Sequence, residues 1–271
     1  MQVDLPEGAL FYDVIDRTAP WNGEPETILF MHGVGARHDM WMGWLPALAD
    51  RYRIILIGTR GAGHSAGIVN YSEWTLDGLS DDIVAVADRA GIEKFHVVGE
   101  SAGGTAVLNL VARGPDRVMT ATTLSTAHRG YQIERVKRWR EDVAAKGVAW
   151  WSGEMMQHRF VAGAMSEAKT AWFRARQDES TAEAVLRKGD VLLATDLTEK
   201  LAGIKCPLLM LLPDHSPFVT PDIGIEILKH VPDAELSVIP NSKHGIFFSH
   251  DAFASQLLAD FLARRGSASK N

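Results

Sequence analysis

The chain predicts an α/β fold with a mainly parallel central sheet covered on both faces. Three observations lead there: short β-branched or aliphatic runs recur, helical stretches alternate with them, and 46% of the 271 residues are apolar, enough for a substantial core. Thr27 to Met31, Arg53 to Ile57, Phe95 to Val98, Thr120 to Leu124 and Leu208 to Leu212 are runs of buried-strand type. Helices are expected between them, at Asp77 to Ala90 and from Gly104 to Arg113, the latter stopped by Gly114-Pro115. The alternation fails from residue 126 to 195, where the spacing is helical throughout and Trp139, Trp150, Trp151, Met155, Met156, Met165 and Trp172 concentrate. This stretch is expected to be a helical cap, with 1–125 and 196–271 forming the core domain. A strand at Glu235 to Ile239 and an amphipathic helix at Asp251 to Arg265 close the chain, and the Ser-Ala-Ser-Lys-Asn tail is expected to fray.

Composition removes several classes of function. The net charge is −6, from 28 Lys and Arg against 34 Asp and Glu, and no basic run exceeds Arg264-Arg265, so nucleic acid is not an expected partner. Met1 to Leu10 carries two acids and no sustained apolar stretch, which does not read as a signal peptide. No window approaches the ~18 apolar residues of a membrane span. A cytoplasmic protein without a membrane partner is therefore expected. The single cysteine, Cys206, precedes Pro207 at the start of an apolar run and reads as a small buried hydrophobe rather than a thiolate ligand.

The chemistry concentrates at Val97-Val98-Gly99-Glu100-Ser101-Ala102-Gly103, an apolar run ending in Gly-x-Ser-x-Gly. A strand that must turn into a helix within a few residues holds Ser101 Oγ out above the sheet edge, and the glycines permit the close crossing. A serine hydroxyl needs a base in hydrogen-bond reach. Of the ten histidines, His244 in Asn241-Ser242-Lys243-His244-Gly245 follows a strand and precedes the last helix, which places the base last in chain order. His32 reads as a loop-fixing residue and His215 as a partly exposed one. Oxyanion donors are expected from the backbone N–H groups of Ala102, at a helix N-terminus, and of Val34, in the loop Gly33-Val34-Gly35.

His32-Gly33-Val34-Gly35, Arg60-Gly61-Ala62-Gly63-His64-Ser65, Gly99-Glu100-Ser101-Ala102-Gly103 and His244-Gly245 resemble, in order and spacing, the α/β-hydrolase fold superfamily over nearly the whole chain. Met40-Trp41, Leu45-Pro46-Ala47-Leu48, Asp196-Leu197 and Ile204-Lys205-Cys206-Pro207 are similar to the branch of 3-oxoadipate enol-lactonases and small carboxylesterases. The resemblance implies a serine hydrolase of a small ester or lactone, with no metal or organic cofactor. The expected partner is that small-molecule substrate, with a homodimer left open. Dehalogenases and epoxide hydrolases carry a carboxylate at the position of Ser101, which this chain does not.

Relatives carry Gly-x-x-Asp after the strand Leu208 to Leu212, with the aspartate orienting the histidine, whereas Pro213-Asp214-His215-Ser216 places Ser216 there. Three arrangements stay open: Asp214 serving from a shifted loop, a Ser101–His244 dyad with Ser216 behind the ring, or Asp222 folding in. Asp214 is the nearest carboxylate and completes the expected catalytic set of Ser101, His244 and Asp214. The cap aromatics Trp139, Trp150, Trp151, Phe160 and Trp172, together with Ser216, are the expected pocket residues and favour an uncharged apolar or aromatic substrate group. Two rival readings use the same scaffold, a hydrolase of C–C bonds in meta-cleavage products and a non-catalytic small-ligand receptor.

Overall fold

The computed structural model describes residues 1–70 and 74–265, so the tail expected to fray lies outside the described residues. Eight strands form one sheet: β1 Gln2–Leu5, β2 Gly8–Ile15, β3 Thr27–Met31, β4 Arg53–Ile57, β5 Phe95–Glu100, β6 Val118–Leu124, β7 Leu208–Pro213 and β8 Ala234–Ile239. Their spatial order is β1-β2-β4-β3-β5-β6-β7-β8. The pair β1/β2 and the pair β2/β4 are antiparallel, and every later pairing is parallel. The eleven α-helices among the described residues are α1 Leu45–Leu48, α2 Leu76–Arg89, α3 Ala102–Ala112, α4 Glu134–Lys137, α5 Trp139–Lys146, α6 Val148–Arg159, α7 Glu167–Gln177, α8 Ala182–Leu193, α9 Pro221–Leu228, α10 Ile246–Ser249 and α11 Asp251–Arg265.

The aliphatic runs form strands because each buries both faces. All five residues of β3 are buried. Leu29 and Met31 join one core with Ile55, Ile57 and Val97, while Ile28 and Phe30 join the opposite core with Ile54, Leu56 and Val98. This is the period-2 alternation of a strand between two helical layers. On the second face Trp44 packs edge to face on Phe30 and Trp41, Phe30 and Phe247 pack tilted on Trp41, and the Trp44 indole N–H donates to the Phe247 carbonyl at 2.7 Å.

Two boundaries near Ser101 differ from the sequence expectation, and packing accounts for both. Strand β5 runs through Glu100 rather than ending at Val98, and α3 opens at Ala102 rather than Gly104. Gly103 and Gly104 are weak helix formers, yet a Cβ on Gly103 would lie 2.4 Å from the Met31 carbonyl oxygen and one on Gly104 1.9 Å from Thr126 Oγ1. The helix is accommodated against β3 and β6 only with glycine there. The N-terminal hairpin β1/β2 was not anticipated either. It is an edge whose residues are mostly half-buried or exposed, so it lacks a continuous apolar run.

Helices α4 to α8 fill the interval between β6 and β7, and an antiparallel bridge from Arg129 to Asp196 ties its two ends together. Helices α7 and α8 start at side-chain caps, with Ser166 accepting from the Lys169 N–H and Thr181 from the Ala184 N–H. No helix of the described residues is long and apolar enough to cross a membrane.

Candidate active site

Ser101 occupies the tight junction between β5 and α3 with φ 53° and ψ −118°, a conformation that L-residues rarely adopt. It is held there from several directions. Its N–H donates to the Leu124 carbonyl at 2.9 Å, and a Cβ on Gly99 would sit 2.4 Å from the Gly103 carbonyl oxygen. The serine thus projects beyond the carboxyl end of the parallel strands, where open α/β sheets bind ligands.

His244 is 6% exposed, and its Nε2 lies 3.0 Å from Ser101 Oγ, so the hydroxyl donates to an unprotonated nitrogen. Ser125 Oγ–H donates to the His244 carbonyl at 2.6 Å, which fixes the backbone of this loop against the end of β6. The Phe218 ring packs edge-on against the imidazole, with centroids 4.9 Å apart. Burial, with the charge of Arg159 adding to it and then His158, pushes the imidazole pKa down to about 3. Burial thus favours the neutral imidazole, the form that can accept a proton.

The structure does not bring Asp214 to His244. Its carboxylate accepts the N–H groups of Asn241 and Ser242, both at 2.8 Å, and pairs with His215 Nδ1 at 2.9 Å. Burial works against ionisation, but the N–H of Ser242, the His215 contact and the N–H of Asn241 overcome it and hold the carboxyl at about 2. Asp214 is a brace of the loop that carries His244, not a partner of its ring. Asp222 is exposed in the first turn of α9. The group behind the imidazole is Ser216, whose Oγ lies 3.4 Å from Nδ1 and already accepts the N–H groups of Phe218 at 3.1 Å and Val219 at 3.2 Å. A long contact to a shared neutral acceptor orients the ring weakly and supplies no counter-charge.

Gly33 lies so close to the elbow that a Cβ there would be 2.8 Å from Ser101 Cβ and 2.6 Å from Glu100 Oε2. Its N–H donates to Glu100 Oε2 at 2.9 Å, and the next carbonyl, that of Val34, accepts from Arg159 Nη2. The Val34 loop is thereby pinned beside Ser101 by two buried charged side chains. His32, behind it, accepts the Thr59 N–H at Nε2 (3.1 Å) and donates from Nδ1 to the Gly33 carbonyl (2.9 Å), a loop-fixing role.

Glu100 and Arg159 were not singled out in the sequence. Glu100 is fully buried, and its Oε1 has no hydrogen-bond partner and lies 4.0 Å from His244 Nε2. Burial raises its carboxyl to about 7, against the opposing pull of Arg159 and of the Gly33 N–H. Arg159, the last residue of α6, is 3% exposed with Nε and Nη1 unpartnered. Its carbonyl accepts the Gly245 N–H at 2.9 Å, which ties α6 to the histidine loop.

Ser101, His244 and Arg159 face a small cavity lined also by Val34, Ile133, Val136, Trp139, Met155, Leu192 and Phe218. Its volume of about 30 Å³ holds only a water or two. A wider groove on its outer side, near Arg135, Arg138 and Trp150, shares Trp139, Met155 and Phe218 with it, so those three side chains stand between the groove and Ser101.

Of the expected pocket residues only Trp139 lines this cavity. Trp150 and Trp151 face the outer groove, Phe160 packs on Phe173, Trp172 stacks on Phe248 at 7°, and Ser216 sits behind His244. A buried guanidinium also corrects the expectation of a pocket for a wholly uncharged group. The signal available for Arg159 was its place at the end of a mixed apolar stretch, where a cation ordinarily reads as a solvated helix end.

Sheet order, elbow and site define the class, and residues 26–251 match the alpha/beta hydrolase fold family, to which the chain belongs. It is 27% identical over 232 residues to 3-oxoadipate enol-lactonase 1 of Acinetobacter baylyi, covering 79% of this chain and 80% of that one. It is 26% identical over 257 residues to a 2-hydroxy-6-oxo-6-phenylhexa-2,4-dienoate hydrolase of Burkholderia cepacia, covering 89% of each. The crystal structure of the enol-lactonase from Burkholderia xenovorans LB400 superposes with a TM-score of 0.86 at 22% identity, over 97% of this chain and all of that one, a likeness of fold. The relatives thus include an enol-lactonase and a dienoate hydrolase by name, and the chain belongs to the alpha/beta hydrolase family that holds them.

Proposed function

We propose that the protein hydrolyses a carboxylic ester or lactone through an acyl-enzyme on Ser101. The observation that carries this is the Ser101 Oγ to His244 Nε2 contact of 3.0 Å at a strained strand-to-helix turn facing a small, mostly apolar cavity. In this reading His244 Nε2 takes the hydroxyl proton as Oγ attacks the acyl carbonyl, and the backbone N–H groups of Val34 and Ala102 receive the oxyanion. The protonated ring returns the proton to the leaving oxygen. Water, deprotonated by the same nitrogen, then attacks the acyl-serine and frees the acid and Ser101. Helices α4 to α8 serve as the cap.

The mostly apolar cavity walls match a small aliphatic acyl portion of about acetyl size, and the unpartnered N–H groups of Arg159 call for an acceptor on it, since a buried unpaired donor is costly. With Ser216 rather than a carboxylate behind Nδ1, the site is suited to stabilised leaving groups, such as an enolate or a phenolate. Hydrolysis of p-nitrophenyl esters from acetate to octanoate, and of an enol lactone bearing a carboxylate, tests the reading with wild type and Ser101→Ala. Turnover of at least one of them that vanishes in Ser101→Ala is expected. A wild type inert on all of them, but active on a 2-hydroxy-6-oxodienoate of the kind named for the Burkholderia cepacia relative, would overturn it in favour of C–C cleavage.

A further inference from the structure

A general base that becomes charged inside a buried site needs a counter-charge. Removing the triad acid from a serine protease lowers turnover about ten-thousandfold. Among the described residues the partner of His244 Nδ1 is the Ser216 hydroxyl, and Asp214 is committed to the loop backbone. On the other side of the ring stands a carboxyl oxygen with no hydrogen-bond partner, Glu100 Oε1, at 4.0 Å from Nε2. We propose that the carboxylate of Glu100 is the counter-charge of the His244 imidazolium, doing from the Nε2 side of the ring what an acid does from Nδ1 in a triad.

This rests on the Ser101–His244 reading above. Glu100 acts through His244 and is a positioning residue. Its other oxygen is anchored on the Gly33 N–H, so the carboxyl cannot rotate away without freeing the loop beside Ser101. The charged or titratable groups facing it are His244, from the loop before α10, and Arg159, from the end of α6; His158, also on α6, acts on His244. Arg159 opposes a charged imidazole and favours a charged Glu100, so the carboxylate cancels a cation that would otherwise oppose the base.

The direction with pH follows. Burial raises the Glu100 carboxyl to about 7, so below that pH it is largely protonated and gives no counter-charge. Ionisation of Glu100 turns that counter-charge on, so the reactivity of Ser101 rises as pH passes upward through about 7.

The test is the second-order rate of Ser101 phosphonylation by an alkyl fluorophosphonate, from pH 5.5 to 9, in wild type, Glu100→Gln, Ser216→Asp and the double variant. Glu100→Gln is expected to lower the rate roughly a hundredfold at pH 8, less than loss of a hydrogen-bonded triad acid, and to flatten the limb near pH 7. Ser216→Asp supplies a charge behind Nδ1 and is expected to recover most of that loss in the double variant. Glu100→Gln within twofold of wild type with the limb unchanged, or the same loss with and without Ser216→Asp, overturns the proposal. Should the amide variant not fold, Ser216→Asp alone decides: the limb is expected to move toward acid, and an unmoved limb overturns the proposal. A wild type that no fluorophosphonate labels is a different result, and it removes the Ser101–His244 reading itself.

Discussion

Ser101 at φ 53° is kept in place by its own N–H bond to Leu124 and by three glycines whose missing side chains let β3, β5 and α3 touch. That part of the site was legible, because Gly-x-Ser-x-Gly after a β-branched run encodes the strain and the space together. Asp214 was not legible. A carboxylate two residues from the expected position could turn either way, and the two N–H groups of the Asn241 turn, where φ is 54°, decide the matter. Asp214→Asn is accordingly expected to leave kcat within about threefold while lowering Tm by roughly 3–8 °C, as loss of charge-assisted bonds should. A folded-state pKa depressed to about 2 means that this contribution is present above about pH 4 and is lost as pH falls toward 2. Thermal melts of the two proteins should therefore converge in acid. A large loss of kcat with unchanged Tm would return Asp214 to the catalytic set.

Among the elements, the parallel strands β3 to β7 were readable from composition alone, since a strand buried on both faces has no polar alternation to obscure it. The helices between β6 and β7 were readable as helices, but not in their facing. Trp172 and Phe160 follow the same spacing as Trp139, yet they pack on Phe248 and Phe173, because apolar periodicity does not say which neighbour a face meets. Trp139, Met155 and Phe218 separate the outer groove from a cavity of about 30 Å³, so acyl chains longer than acetate require these side chains or their helices to move. Phe218→Ala is expected to raise kcat/KM for p-nitrophenyl octanoate relative to acetate by at least roughly tenfold, the scale of a few methylenes newly accommodated. An unchanged chain-length preference would show that the substrate enters elsewhere.

For the molecule as a whole, folding leaves several ionisable groups in water-poor surroundings, and stability should follow their titration. His128 is fully buried beyond the end of β6, with both ring nitrogens lacking a hydrogen-bond partner, and burial, with Arg129 second, lowers its pKa to about 4. Below pH 6.5 the unfolded chain binds a proton there that the folded chain refuses until about pH 4, so stability falls across that window as pH is lowered. His244 contributes in the same direction. His128→Leu, which removes one of these two groups, is expected to reduce the drop in Tm between pH 6.5 and 4 by roughly 5–10 °C, from about 3 kcal/mol of linkage. A drop as steep as that of wild type would place the acid sensitivity elsewhere.

The most direct measurement is mass spectrometry of the protein quenched with acid during turnover of a p-nitrophenyl ester, followed by trypsin digestion. Cleavage after Lys94 and Arg113 isolates Phe95 to Arg113, a peptide with a single serine, Ser101. The acyl mass is expected on that peptide in wild type and absent from the Ser101→Ala protein, which should also release no p-nitrophenol above background. Continued ester turnover by Ser101→Ala, or an acyl group found on any other peptide, would contradict Ser101 as the nucleophile.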